Sequence, residues 1–260
     1  MFQSYLTKIT ILCDDRLSPP LFSEHGFSVL IEREGELLLF DTGTSNVFIK
    51  NANILGKDLS KVENIIISHG HYDHAGGLKY LLPFNKKYKV ILRKESFLPK
   101  YSNDTFTGID WEILRKSFDF LIVRDEVLEI SNSIYVFGPA PFKNDFEEPD
   151  PNFFVLKVDK KERDFFEEEL NLVIDEEDGL ILITGCAHRG IVNIVDYAIE
   201  KFNKRIKSLM GGFHLYKSDP LKIEKVINNL GRFDIENIIP YHCIGDLAIK
   251  KIIKEKRRHG

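Results

Sequence analysis

The sequence predicts an α+β fold built as an αββα sandwich, and three observations lead there. Strand-forming segments cluster early, a helix follows, strands cluster again, and helices and strands then alternate to the end. That order is not a regular βαβ series, which argues against a doubly wound sheet; two β-rich halves, each followed by helices, suit sheets covered by helices. Neither G-x-G-x-x-G nor a Walker A pattern occurs, so the glycine-rich phosphate loops of nucleotide-binding folds are not expected. With 260 residues, 43% of them hydrophobic, there is ample length for a buried core. The expectation is one domain over 1–260, with cap or lid segments near 95–118 and 138–151.

The elements follow in order. Tyr5 to Cys13 alternates, with Ile9, Ile11 and Cys13 on one side, and is a first strand. Asp14 to Glu24 carries Pro19 and Pro20 and is a loop. Phe27 to Arg33 and Leu37 to Phe40 form a hairpin about Glu34-Gly35-Glu36. Asn46 to Leu55 is a helix ended by Gly56. Val62 to Ile67 is a buried strand rich in β-branched residues. Ala75 to Leu82 suits a short helix, and Lys89 to Leu92 a strand. Glu95 to Gly108 has no strong period and is taken as a loop or cap. Phe118 to Val123, Glu126 to Ile130 and Ser133 to Phe137 are strands. Gly138 to Pro151 is a loop whose acids, Asp145, Glu147, Glu148 and Asp150, are expected in solvent.

Phe153 to Val158 is a strand, and Lys160 to Glu169 a charged connection. Asn171 to Ile174 and Gly179 to Thr184 form a second hairpin. Ile191 to Phe202 has apolar residues at helical spacing. Ile206 to Met210 is a strand. Leu221 to Leu230 is a helix with Pro220 at its start. Ile235 to Ile239 is the last strand and Gly245 to Ile253 the last helix, with the basic run Lys254 to Arg258 at its C-terminal end.

The chemistry concentrates in Ser68-His69-Gly70-His71-Tyr72-Asp73-His74-Ala75-Gly76-Gly77, where three histidines and an aspartate fall within six positions between a strand and a helix. Imidazole with carboxylate favours Zn²⁺, Fe or Mn. His69 and His71, two apart, are spaced to grip one ion from extended backbone, while Asp73 and His74 diverge toward a second. Gly70, Gly76 and Gly77 are expected to let backbone pass close to the metal. Three later histidines, His188, His214 and His242, also follow strand-like runs. His25 has no partner at ligand spacing and is taken as a loop or substrate-pocket residue. Phe40-Asp41-Thr42-Gly43 matches half of an aspartic-protease pair, but no second Asp-Thr-Gly exists.

Bulk properties narrow the classes. A net charge of −4 does not indicate a large nucleic-acid surface. Three cysteines without C-x-x-C pairing point to a reducing, cytoplasmic compartment. Residues 1–15 lack the features of a signal peptide, and no run approaches the ~20 apolar residues of a membrane span.

Phe-Asp-Thr-Gly, Ser-His-Gly-His-Tyr-Asp-His-Ala-Gly-Gly, Thr-Gly-Cys-Ala-His-Arg-Gly-Ile, Gly-Gly-Phe-His-Leu and Pro-Tyr-His-Cys, spread over residues 41–243, together resemble the metallo-β-lactamase superfamily. Within it they resemble the branch holding the 7,8-dihydropterin-6-methyl-4-(β-D-ribofuranosyl)-aminobenzene-5′-phosphate synthases of methanopterin biosynthesis and many metal-dependent hydrolases. The resemblance implies a four-layer αββα sandwich and two divalent metal ions, Zn first, with Fe, Mn or Mg as alternatives. It implies that His69, His71 and His188 hold one ion and Asp73, His74 and His242 the other, with Asp41 behind them orienting a ligand. Where many members carry a bridging Asp, this chain has Cys186, either a thiolate ligand or a buried small residue. His214 is a ligand, a proton donor or a substrate-binding group. Asp73 and His214 are the catalytic candidates, and Cys243 is expected to pack behind His242. The implied activity is hydrolase or transferase chemistry on a phosphorylated or diphosphate-bearing small molecule: the pterin condensation, or hydrolysis of a phosphoester, phosphodiester or thioester. A non-catalytic metal and ligand sensor and a di-iron oxygen reductase are the alternatives. No nucleic-acid or membrane partner is expected, and a homo-oligomer is left open.

Overall fold

The computed structural model describes residues 7–84 and 86–259, with side chains to 255, so Tyr5 and Leu6 of the expected first strand lie outside the described residues. In chain order the strands and helices are β1 (Lys8–Cys13), β2 (Ser28–Arg33), β3 (Glu36–Phe40), α1 (Val47–Ile54), β4 (Asn64–Ile66), α2 (Tyr72–Ala75), β5 (Lys89–Leu92), β6 (Lys100–Ser102), β7 (Thr105–Phe106), α3 (Glu112–Ser117), β8 (Asp119–Ile122), β9 (Val127–Ser131), β10 (Ile134–Phe137), β11 (Phe153–Lys157), β12 (Lys160–Arg163), β13 (Asn171–Glu176), β14 (Gly179–Thr184), α4 (Ile191–Phe202), β15 (Ile206–Gly211), α5 (Pro220–Leu230), β16 (Asn237–Pro240) and α6 (Asp246–His259). They divide into two compact units: residues 1–124 with 151–164, and 125–150 with 165–260.

The first unit holds a six-stranded sheet in the order β1-β2-β3-β4-β5-β8. β1, β2 and β3 run antiparallel, and β3, β4, β5 and β8 run parallel. Leu30, Leu39, Ile65 and Val90 from this sheet share a core with Phe48 and Ala52 of α1, Leu78 and Leu81 of the following 3₁₀ turns, and Leu114 of α3. A second sheet of this unit runs β12-β11-β6-β7. It takes in two segments expected to be irregular, Lys100–Phe106 and Lys160–Arg163. Neither has an apolar period; pairing with the Phe153–Lys157 strand makes them β.

The expected helix after the histidine motif is a single α turn at Tyr72–Ala75, continued by 3₁₀ turns over Gly76–Phe84. The glycines lie against neighbouring backbone. A Cβ on Gly70 would come within 2.4 Å of the Ser96 carbonyl oxygen, on Gly76 within 2.8 Å of Thr44 O, and on Gly77 within 2.1 Å of Thr42 O.

The second unit holds a sheet in the order β16-β15-β14-β13-β10-β9. β14, β15 and β16 are mutually parallel, and the rest pair antiparallel. The predicted Ile191–Phe202 helix is found with those limits. Ile191, Ile194, Val195 and Ala198 are buried on one face, each large side chain contributing about 1.5–3 kcal/mol. Asp219 caps α5 by accepting from the N–H groups of Leu221 and Lys222, with Pro220 in the first turn. Among the described residues no helix is long and apolar enough to cross a membrane.

One acid of the 138–151 loop is not in solvent. Glu147 is buried and accepts from the N–H groups of Val192 and Asn193 at 3.1 and 3.0 Å, capping α4 from outside the helix. Burial raises its pKa despite these bonds and one from Asn144.

Glu147→Ala is expected to destabilise the chain by about 1–3 kcal/mol in urea unfolding, since two buried helix-terminal donors lose their acceptor. Because its folded pKa lies above the ordinary value, the folded chain holds a proton that the unfolded chain releases first. Its contribution to stability is therefore full below the unfolded pKa and declines as pH rises through the folded one. Stability against pH is expected to be flatter in Glu147→Gln than in wild type across that window. Gly77→Ala is expected to cost roughly 1–3 kcal/mol or more by overpacking, read from the shift of the thermal midpoint.

Candidate metal centre

In the first unit the donors gather where parallel strands end. Asp41 follows β3, and Ser68 and His69 follow β4, its neighbour in the sheet. Asp41 is fully buried. Its carboxylate accepts from Ser68 N–H at 2.7 Å and from Ser68 Oγ at 2.7 Å, and lies 2.7 Å from His74 Nδ1. Ser68 Oγ is also 2.9 Å from His69 Nδ1. Two imidazoles are thus held from behind, and the other nitrogen of each turns to a further donor. His69 Nε2 is 3.2 Å from His71 Nδ1, and His74 Nε2 is 3.7 Å from Asp73 Oδ2. The His69 ring centroid lies 4.8 Å from that of His71 and 4.2 Å from that of His74.

All four donors are buried. Burial drives the His69 pKa well below the ordinary value, with His74 and His71 adding to the effect. Burial likewise lowers His71, to about 4. Both rings are neutral near pH 7, the state in which imidazole carries a lone pair for a metal. His25 stands at the edge of this group: Nδ1 lies 3.2 Å from Asp15 and Nε2 3.4 Å from Asp73.

In the second unit Cys186 and His188 follow β14, His214 follows β15, and His242 and Cys243 follow β16. Because these strands are parallel neighbours, their carboxyl ends lie at one sheet edge. Three non-glycine residues here take left-handed backbone: Ala187, His214 and His242, at φ 57°, 48° and 47°. The His188 ring stacks on Phe166, with centroids 3.7 Å apart and planes 8° from parallel, and lies 4.2 Å from the His214 ring. Cys186 and Cys243 are both buried free thiols with sulfurs 3.4 Å apart. Cys243 also accepts the His214 N–H at 3.2 Å. Burial by itself would raise the Cys243 pKa, but the bond with Cys186 and the charges of His242 and His214 reverse it, leaving the thiol well below the ordinary value.

Sequence reasoning missed Glu169, which lay in the supposed charged connection. Its carboxylate accepts from the backbone N–H groups of His188 and Arg189 at 2.6 and 3.1 Å, fixing the loop that carries His188. Burial pushes its pKa up to about 7, against those two bonds. Ser68 lies within the histidine motif, and the motif by itself gives it no role. No spacing rule pointed to either. Of the aromatic residues in the expected cap, Phe97 packs edge-on against Trp111 and Phe120, while Phe106 is half exposed beside Tyr101.

The residues fit divalent transition metal: imidazoles and a carboxylate in one unit, imidazoles and thiols in the other, tied by hydrogen bonds.

Three comparisons bear on identity. A 35% identical protein of Methanocaldococcus jannaschii, MJ0448, aligns over 94% of this chain and 93% of its own length. The 7,8-dihydropterin-6-methyl-4-(β-D-ribofuranosyl)-aminobenzene-5′-phosphate synthase of the same organism is 28% identical, over 95% of this chain and 91% of its own. The crystal structure of Tm1679, described as a metal-dependent hydrolase of the β-lactamase superfamily, superposes with a TM-score of 0.88 at 42% identity, covering 96% of this chain and 93% of that one. The family model of the metallo-β-lactamase superfamily matches residues 23–202. The motifs, the histidine cluster and these relatives agree: the chain belongs to the metallo-β-lactamase superfamily.

Proposed function

We propose that the protein is a metal-dependent enzyme with a dinuclear centre, acting on a phosphorylated or diphosphate-bearing small molecule. The observation that carries this is the network behind the first histidines. Asp41 and Ser68 engage the Nδ1 atoms of His74 and His69, so that the opposite nitrogens turn to Asp73 and His71 respectively. Ligand histidines are oriented in this way by carboxylates and hydroxyls behind them. The superfamily resemblance implies His69, His71 and His188 for one ion and Asp73, His74 and His242 for the other, with Cys186 either a thiolate ligand or a buried small residue.

Bound divalent ions supply a water acidified toward a pKa of about 7 and positive charge for an anionic oxygen. The remaining work falls to side chains. Asp41 and Ser68 keep the rings in one tautomer. Asp73, beside His25, accepts a hydrogen bond from the attacking or departing group. His214 donates a proton or a hydrogen bond to the substrate. Glu169 holds the His188 loop in place through two backbone N–H groups.

The specific reaction proposed is condensation of a dihydropterin diphosphate with ribofuranosylaminobenzene phosphate. Its support is the 28% identical synthase, which aligns over nearly its whole length. A second reading, hydrolysis of a phosphoester, phosphodiester or thioester, is favoured by the 42% identity to Tm1679. Diphosphate release that requires both substrates supports the condensation. Turnover of a generic phosphodiester or thioester with Zn²⁺ or Mn²⁺ supports hydrolysis.

His69→Ala is expected to lower bound metal and to reduce whichever activity is found by at least about a hundredfold. Metal content by mass spectrometry and turnover are the readouts, and full activity in metal-stripped protein would refute the proposal. Asp41→Asn is expected to weaken metal binding about 10–100-fold by loosening His74 and Ser68, measured by competition with a chromophoric chelator.

A further inference from the structure

We infer, on the reading of His71 as a metal ligand, that Lys100 and Asp164 are a positioning pair which fixes that imidazole through Phe153. Asp41 and Ser68 engage the rings of His74 and His69. His71 is met by the small sheet of the first unit. The Phe153 ring centroid lies 5.1 Å from that of His71. The N–H of the next residue, Tyr72, donates to Thr107 O at 2.9 Å. Two arms of that sheet thus press on two successive residues of the histidine turn.

Lys100 and Asp164 join the two arms. Lys100 Nζ donates to Asp164 Oδ2 at 2.8 Å, and both side chains are buried. Lys100 opens β6, Asp164 directly follows β12, and β11 runs between those strands. Lys100 stands opposite Val155. Asp164 donates its N–H to Phe153 O at 2.9 Å and so extends the pairing of Arg163 with Phe154. Directly opposed residues share a sheet face, as do residues two apart along a strand. Lys100, Val155, Phe153 and Asp164 therefore share one face, the face whose Phe153 ring meets His71. Both charges reach the His71 ring, with opposite sign. The Lys100 carbonyl also accepts from Thr107 N–H at 2.8 Å, so the same residue anchors the arm that holds Tyr72. Apolar side chains of similar volume hold a fold as well as a buried ion pair does, or better. What the pair adds is a short, directional, charge-assisted bond across β11.

The test follows the nuclear Overhauser contact between the Phe153 and His71 rings in the full-length protein, loaded with Zn²⁺ and stripped of it. Zn²⁺ affinity is measured beside it by chelator competition. His71→Gln identifies the His71 signals by their loss. The double variant Lys100→Met with Asp164→Leu removes both charges together and leaves neither unpaired, so its thermal midpoint is expected to stay near that of wild type. Its ring contact is expected to be lost, and its Zn²⁺ affinity to fall about 10–100-fold, as on removal of a supporting partner. Phe153→Leu leaves the ion pair in place and is expected to weaken Zn²⁺ to a similar degree. A ring contact and Zn²⁺ affinity both retained in the double variant, or wild-type affinity in Phe153→Leu, would overturn the inference. Failure of the metal-ligand reading shows separately, as unchanged Zn²⁺ binding in His71→Gln, while the ring contact in metal-free protein still reports on the pair.

Discussion

The first unit depends on one buried carboxylate. Asp41 receives hydrogen bonds from the backbone and the hydroxyl of Ser68 and contacts His74 Nδ1. Its own N–H donates to Ile66 O, and its carbonyl accepts from Ser28 Oγ. A single residue thereby ties the ends of β2, β3 and β4 to the histidine turn. A charge in such a place is costly unless every lone pair finds a donor. The partners that meet that requirement also leave the imidazoles little freedom to rotate. Fold and candidate metal site are here the same hydrogen-bond network.

The second unit solves a related problem with carboxylates brought from elsewhere. Two N–H groups of the loop after β14 would lie buried and unmet; Glu169 reaches across from the start of β13 to accept both. Glu147 does the same for the first turn of α4. Arg189 closes the arrangement by donating to the carbonyl oxygens of Ala140 and Phe165. The donors His188 and Cys186 therefore sit on a loop held at several points. Such a loop can keep metal-binding groups in place without regular secondary structure.

Much of this was legible in the residues. The Ile191–Phe202 helix and the β13–β14 hairpin followed from period and turn chemistry, because their apolar faces are wide and their ends are marked. The histidine motif and the strand-end histidines could be read because chemistry there is dense within a few positions. What could not be read was anything set by distant pairing. β6, β7 and β12 are short and charged or polar, and they are strands only because β11 and its neighbours offer them hydrogen bonds. Glu169 and Glu147 looked like solvated acids in acidic stretches. Their role depends on which backbone donors the fold brings beside them, and no local pattern encodes that.

A further constraint links both units. Neighbouring strands stand about 4.8 Å apart, so loops leaving adjacent parallel strands offer side chains at roughly that pitch. Closer approach requires the chain to turn sharply as it leaves the sheet. At Asp41, His214 and His242 the turn is made in left-handed backbone, at φ 57°, 48° and 47°. Glycine would adopt that conformation without the cost of about 1–2 kcal/mol that a Cβ brings. It would also remove a carboxylate or an imidazole from the place where one is needed. Asp and His at these turns are what a demand for a donor side chain would select over the preference of the backbone, and strain of this kind is concentrated at functional sites.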